Sequence, residues 1–169
     1  MEMNSQYAYE LPRWENLASE ECGSKVIYAT DEFFGEKENL IKETQPISRP
    51  GAFTENGRWV DGWVTRRRRD QGNDFAIIKL GQSGIIKEIL IDTQHITGSL
   101  PSFISVEGHG KSDLHLEENF WEELLPVKRI HPNCTNIFRV EGNTRLTHIR
   151  LNIFPDGGIS RLRLFGRKS

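Results

Sequence analysis

The stretch Asp61-Gly62-Trp63-Val64-Thr65-Arg66-Arg67-Arg68-Arg69 concentrates the most evident potential chemistry in the chain. A planar guanidinium grips a carboxylate with two parallel hydrogen bonds, so one or two of these arginines could form a fork for an acidic ligand. All four cannot face it together. In a strand, Arg66 and Arg68 share one face while Arg67 and Arg69 share the other. The plainer alternative is a solvated edge whose charge discourages pairing with another sheet.

Other chemistries have weaker support. The histidines His95, His109, His115, His131 and His148 are scattered without metal-ligand spacing, although His109 and His115 with Asp113 could collect a stray ion. No metal site and no cofactor is expected. There is no Gly-rich phosphate loop, Ser-His-Asp pattern or Cys nucleophile motif. Cys22 and Cys134 make no disulfide framework; they read as two free thiols in a reducing compartment or as one bridge.

Lys and Arg total 22 against 24 Asp and Glu, a net charge of -2. The arginine run is therefore a local feature, and no general attraction to nucleic acid or membrane is expected. The first residues lack the basic start and apolar core of a secretory signal, and no apolar run is long enough for a spanning helix. The last residues do not match the peroxisomal tripeptide. The expected location is cytoplasmic.

The elements that must position these residues are short strands. Residues 1–10 read as a polar arm, followed by one domain over 11–166. Pro12 to Cys22 fits a short helix or loop, and Val26 to Ala29 a strand. Gly35 to Gly57 reads as a long covering loop anchored by Phe53 and Trp59. Phe75 to Leu80 is apolar on both faces, which predicts an inner strand; Gly81 to Gly84 reads as a turn, and Ile85 to Ile91 as the next strand. Phe103 to Glu107 is a strand with Ile104 and Val106 facing inward, broken by Gly108 to Gly110. Lys111 to Leu125 reads as a helix or irregular insertion.

The alternation of Ile149, Leu151 and Ile153, then of Leu162 and Leu164, predicts a final hairpin around Pro155 to Gly158. Such pairing would set Arg150 opposite Arg163, and like charges directly opposite are destabilising. An acid or a bound anion would then sit between them. Many short alternating strands with Gly-rich turns imply an antiparallel β-sandwich.

Further segments stand in a distinctive order around the arginine run. Upstream are Ala29-Thr30-Asp31-Glu32-Phe33-Phe34, Glu38-Asn39-Leu40 and Phe53-Thr54-Glu55-Asn56-Gly57-Arg58-Trp59. Downstream are Ile77 to Gly81, Asp92-Thr93, Thr97-Gly98 and Thr147 to Gly158. In that order and spacing the chain, from about Leu11 to Gly166, resembles the repeat module of allantoicase, which hydrolyses allantoate to ureidoglycolate and urea. The resemblance implies an all-β antiparallel jelly-roll sandwich similar to galactose-binding domains, with ligand-carrying loops at one end. It also implies a departure: allantoicases carry two such modules in tandem, and this chain holds one set of motifs. A homo-oligomer could replace the missing module.

The implied reaction needs a cation for a carboxylate, partners for two ureido groups, and an acid or base. Arg66 and Arg67, joined by Arg150, are the candidate cations, with Thr97 and His148 also assigned to substrate binding. Asp61 and Glu107 are candidate bases, although carboxylates near arginines suit binding better than proton transfer. His95 and His148 are better proton shuttles. His95 occupies a strand-to-loop junction, where function concentrates. Each has a plainer role: His148 as a packing residue of its strand, Asp61 as a turn cap, Trp59 and Trp63 as core. Asp74 stands at the family's Gly-x-Asp-aromatic position, where Asn73 and Phe75 replace a His and a Trp; Ser99 replaces an Asn. The competing expectation is a non-catalytic module that binds a small ureido or carboxylate ligand or a partner protein.

Overall fold

The computed structural model describes residues 14–96, 98–110 and 120–169. Thr97 and the arm expected over 1–10 lie outside these residues. In chain order the strands are β1 (Glu15–Asn16), β2 (Lys25–Ala29), β3 (Phe53–Thr54), β4 (Gly57–Arg58), β5 (Trp63–Val64), β6 (Asp74–Asp92), β7 (Phe103–His109), β8 (Glu122–Arg129), β9 (Thr135–Arg139), β10 (Leu146–Phe154), β11 (Gly158–Ile159) and β12 (Arg161–Lys168). Two short 3-10 helices, Glu20–Cys22 and Lys37–Ile41, complete the described elements.

β6 organises the molecule. Nineteen residues of straight strand would reach about 60 Å. Yet Asp74 N–H donates to Pro155 O at 3.1 Å, and Asp92 O accepts from Ser160 N–H at 2.8 Å. Pro155 and Ser160 are separated by at most about 17 Å of chain. The strand must therefore double back, so that both its ends lie at one end of the protein. Its first half is flanked by β2 and β10, its second half by β12 and β9. The result is two antiparallel layers, β2-β6-β10-β7-β8 and β1-β12-β6-β9, sharing one bent strand.

This arrangement corrects two expectations. Gly81 to Gly84 is a corner inside continuous strand, not a turn between two strands. A Cβ on Gly81 would collide with the Cys22 carbonyl, and one on Gly84 with that of Arg167, so these glycines permit close backbone approach. The final hairpin is absent as well: β10 and β12 pair with opposite halves of β6 and not with each other. Arg150 is thus opposite Glu107 and Ile77, while Arg163 is opposite Leu90.

Between the layers lies one core. Ile78, Ile104, Val106, Ile149, Leu151 and Ile153 come from the first layer; Ile89, Ile91, Leu162 and Leu164 come from the second. The predicted alternation places Ile104, Val106, Ile149, Leu151, Ile153, Leu162 and Leu164 inward; the facing of Ile78, Ile89 and Ile91 comes from the structure. Full burial of each such side chain contributes about 1.5–3 kcal/mol. The helix or irregular insertion expected over 111–125 is replaced at its C-terminal end by strand, since Glu122 to Leu125 belong to β8; 111–119 lie outside the described residues. Leu125 packs into the core through its pairing with Val106.

The long segment before β5 is held down differently from expectation. Phe53 is 71% exposed, so its ring is not a buried anchor. Leu40 and Ile41 are buried instead. Beyond them, Arg163 donates to the carbonyls of Lys42, Glu43 and Thr44, and Arg161 donates to Thr44 O. Arg163 thus turns to backbone carbonyls while Arg150 pairs with Glu107, and among the described residues no acid bridges the two arginines.

Candidate functional site

Because β6 doubles back, the segments around Asp31, Asp61 to Asp74, Asp92 to Ile96, Gly98 to Leu100, Ile130 to Cys134 and Pro155 to Ser160 gather at one end. Backbone bonds knit them together: Thr65 N–H donates to Gly157 O at 2.9 Å, Gly158 N–H to Ser99 O at 2.7 Å, and Thr93 N–H to Cys134 O at 3.0 Å. The buried Trp63 donates through Nε1 to Asp31 O at 2.7 Å, fixing the strand before the arginine run.

A cavity of about 520 Å³ at this end is lined by Arg49, Arg58, Trp59, Asp61, His95 and Asn133 among others. That volume is typical of small-molecule sites. His95 and Asn133 are the two non-glycine residues among those described with positive φ, 64° and 50°. His95 N–H donates to Asn133 Oδ1 at 3.1 Å, so each supports the other's left-handed backbone. Such conformations cost free energy and persist where the surrounding structure enforces them, often at functional sites. The enforcement here is visible. Thr93 Oγ1 donates to His131 O at 2.7 Å and accepts from Cys134 N–H at 3.2 Å, tying the turn after β6 to the loop before β9.

Asp61 stands in the same cavity with both carboxylate oxygens engaged. Oδ2 accepts from Ile47 N–H at 3.0 Å, and Oδ1 lies 2.9 Å from Nη2 of the fully buried Arg161. That second contact is off the line of a hydrogen bond and is ionic in character. The pair fits holding the cavity wall better than moving protons. Arg49 lies over the Trp59 ring at 4.7 Å from its centroid. Trp59, expected in the core, is half-buried and faces this cavity. Arg58 has no charged or hydrogen-bonding partner for its side chain among the described residues.

The arginine run lines a second cavity of about 350 Å³ with Thr30, Asp31, Asp70 and Asp74. Arg66 is already paired: its backbone N–H donates to Asp31 Oδ2 at 2.7 Å, and Nε and Nη2 donate to Oδ1 at 3.1 and 2.8 Å. Burial pushes the Asp31 carboxyl up, but the hydrogen bonds and charge of Arg66 outweigh it and hold the group below the usual carboxylate range. Arg68 binds Asp70 and Asp74. Arg67 and Arg69 carry no side-chain hydrogen bond or ion pair among the described residues.

Glu107, Arg150 and His148 line neither cavity. They lie on the outer face of the first layer, since Ile149, Leu151 and Val106 point to the core. Glu107 Oε1 accepts from Arg150 Nε and Nη2 at 3.1 and 2.8 Å and from Asn152 Nδ2 at 2.7 Å. Arg150 also packs over Phe75 and Trp121. His148 is 2% exposed, with Nδ1 2.8 Å from Thr147 Oγ1. The structure therefore brings His95 and Asp61 together, separates them from Arg66 and Arg67, and puts Glu107, Arg150 and His148 elsewhere. Thr97 lies outside the described residues.

Sequence reasoning passed over Arg49, Arg58 and Asn133. They lie in segments with little or no strand periodicity, where no pattern marks a side chain as facing a cavity. Asn133 carried one usable signal: asparagine tolerates left-handed backbone, and it follows Pro132.

The sequence profile of the allantoicase repeat matches residues 15–169. The probable allantoicase of Rhizobium meliloti (strain 1021) is 43% identical over 151 residues, covering 89% of this chain and 44% of that protein. The probable allantoicase of Acinetobacter baylyi is 40% identical over 163 residues, covering 94% and 49%. The crystal structure of allantoicase from Saccharomyces cerevisiae superposes with a TM-score of 0.74 at 31% identity, covering 92% of this chain and 44% of that one. A chitosan-binding module from Paenibacillus sp. IK-5 shares the fold alone, with a TM-score of 0.62 at 11% identity. The chain spans about half the length of the curated relatives it matches.

Proposed function

The chain belongs to the allantoicase repeat family, and on that premise we propose that its His95 cavity binds allantoate and hydrolyses it to ureidoglycolate and urea. The observation that carries this reading is the pair of left-handed residues, His95 and Asn133, joined by a hydrogen bond in the wall of the 520 Å³ loop-end cavity. Water adds across the bond between the central carbon and one ureido nitrogen. Its hydroxyl goes to carbon and its proton to the departing nitrogen. An imidazole can take the proton from water and return it to the leaving group, because it titrates near neutrality.

Arg58 and Arg49 supply the cations for the substrate carboxylate in this reading, with Arg49 held in place by Trp59. Asp61 is neutralised by Arg161, so it does not cancel that positive field. We further propose that a second module is needed for full activity, from a second copy or from a longer polypeptide, because the relatives are about twice as long.

The test is urea release from allantoate by the purified chain over a range of protein concentrations, with His95→Ala and Arg58→Ala alongside. We expect His95→Ala to lower kcat by roughly 10²–10⁴-fold while the chain stays folded. Arg58→Ala should chiefly raise KM. A folded wild-type chain that binds allantoate but never releases urea would replace hydrolysis with the binding-module alternative.

A further inference from the structure

We propose that the arginine run forms a second ligand site, built to take a small carboxylate, and that Asp70 holds the ligand's place in the free protein. One edge of the Arg68 guanidinium is fixed from below. Its Nη1 donates to Asp74 Oδ1 at 2.7 Å, and the same oxygen accepts from Thr30 Oγ1 at 2.6 Å. Asp74 is 1% exposed, and its Oδ2 is buried without a hydrogen-bond partner. The buried carboxylate therefore depends on Arg68 and Thr30, which anchors the guanidinium whether or not anything occupies its other edge.

That other edge carries the arrangement a guanidinium makes with a free carboxylate. Nε and Nη2 donate to the two oxygens of Asp70 at 2.9 and 3.0 Å. The guanidinium packs close over Gly72, where a Cβ would stand 2.7 Å from Nη2. Position and plane of the fork are thus set by Asp74, Thr30 and Gly72.

Asp70 is open to competition. Its side chain is 67% exposed, so a dissolved carboxylate can reach both of its Arg68 bonds. Hydrogen bonds from Arg68 keep its carboxyl below the usual range, so it occupies the fork as an anion at neutral pH. Four guanidinium groups face three carboxylates in this cavity, leaving it net positive, and Arg67 and Arg69 have no partner among the described residues. An incoming carboxylate can take both Asp70 bonds and gain attraction from these two arginines as well. This site does not rest on the His95 reading, and its test measures binding rather than turnover.

The experiment titrates the full chain with oxalate and follows the arginine Nε–Hε resonances by NMR. Asp70→Asn, which removes the competing charge, should bind oxalate roughly tenfold more tightly than wild type, with Arg68 Nε moving most. Asp70→Ser serves as a second variant, since its hydroxyl can still accept from Gly72 N–H as Asp70 does. Arg68→Lys should abolish the response, and Arg67→Ala with Arg69→Ala should weaken it. Equal affinity in wild type and both Asp70 variants would overturn the proposal. So would oxalate shifts confined to Arg49 and Arg58, or no shift in any variant at tens of millimolar oxalate.

Discussion

Two groups of arginines serve this protein in opposite ways. Arg161 and Arg163 stand on β12, buried, with donors directed at backbone carbonyls of the covering segment and, for Arg161, also at Asp61 and Ser160. Arg66 to Arg69 stand on a loop and line an open cavity; Arg66 and Arg68 meet carboxylates, while Arg67 and Arg69 have no side-chain hydrogen bond or ion pair among the described residues. The first group staples a loop to a sheet; the second leaves charge available to solution. What differs is burial and the kind of partner. Burial, the dominant influence, even lowers the Arg163 guanidinium below its ordinary value.

The sharpest way to break this contrast is to remove a staple. Arg161 is fully buried and meets Asp61, itself 8% exposed. Arg161→Ala leaves a buried carboxylate without its counter-charge, and we expect a loss of about 3–5 kcal/mol in urea denaturation. Combining Arg161→Met with Asp61→Leu should recover much of that loss, because an apolar pair of similar volume needs no charge compensation. A single variant as stable as wild type would show that the Asp61–Arg161 pair holds nothing together.

Much of this contrast was hidden in the sequence for a physical reason. Arg161 and Arg163 alternate with Leu162 and Leu164, which identified the strand and its inward face correctly. The expected partner, an acid or anion between Arg150 and Arg163, is not what the arginines meet, because nothing local reveals that residues 42–44 lie across this face. Other local patterns carried further: Val26 to Ala29, Phe103 to Glu107 and Ile149 to Ile153 are strands as their periodicity predicts. The corner at Gly81 to Gly84 reads as a turn in sequence because glycine serves turns and close approaches alike. The false hairpin came from chain proximity, which β6 overrides by offering a separate flank to each of β10 and β12. In the site, His95 and Asp61 were legible from residue type and loop position. Arg49 and Arg58 depended on how the loops fold over one another.

A smaller effect is expected where the arginine run meets Asp31. Arg66 is exposed and Asp31 is partly covered, so Arg66→Ala should cost no more than about 1 kcal/mol at neutral pH. The folded-state pKa of Asp31 is depressed, so its contribution is present above the unfolded value and is lost as pH falls through the folded one. The stability gap between wild type and Arg66→Ala should therefore close on acidification through the Asp31 titration. A gap that widens on acidification would assign the stabilisation to some other group.

The smallest change is expected at Arg67, and it decides whether the contrast is one of kind or of degree. Arg67 is exposed and, among the described residues, bonds to nothing through its side chain. A surface substitution at such a position moves stability by no more than about 0.5 kcal/mol. Arg67→Ala should therefore unfold at the same urea concentration as wild type. A loss above about 1 kcal/mol would mean that Arg67 braces the loop end much as Arg161 braces the covering segment. An unchanged midpoint leaves Arg67 as charge that folding does not consume, the condition for an arginine that answers to a ligand.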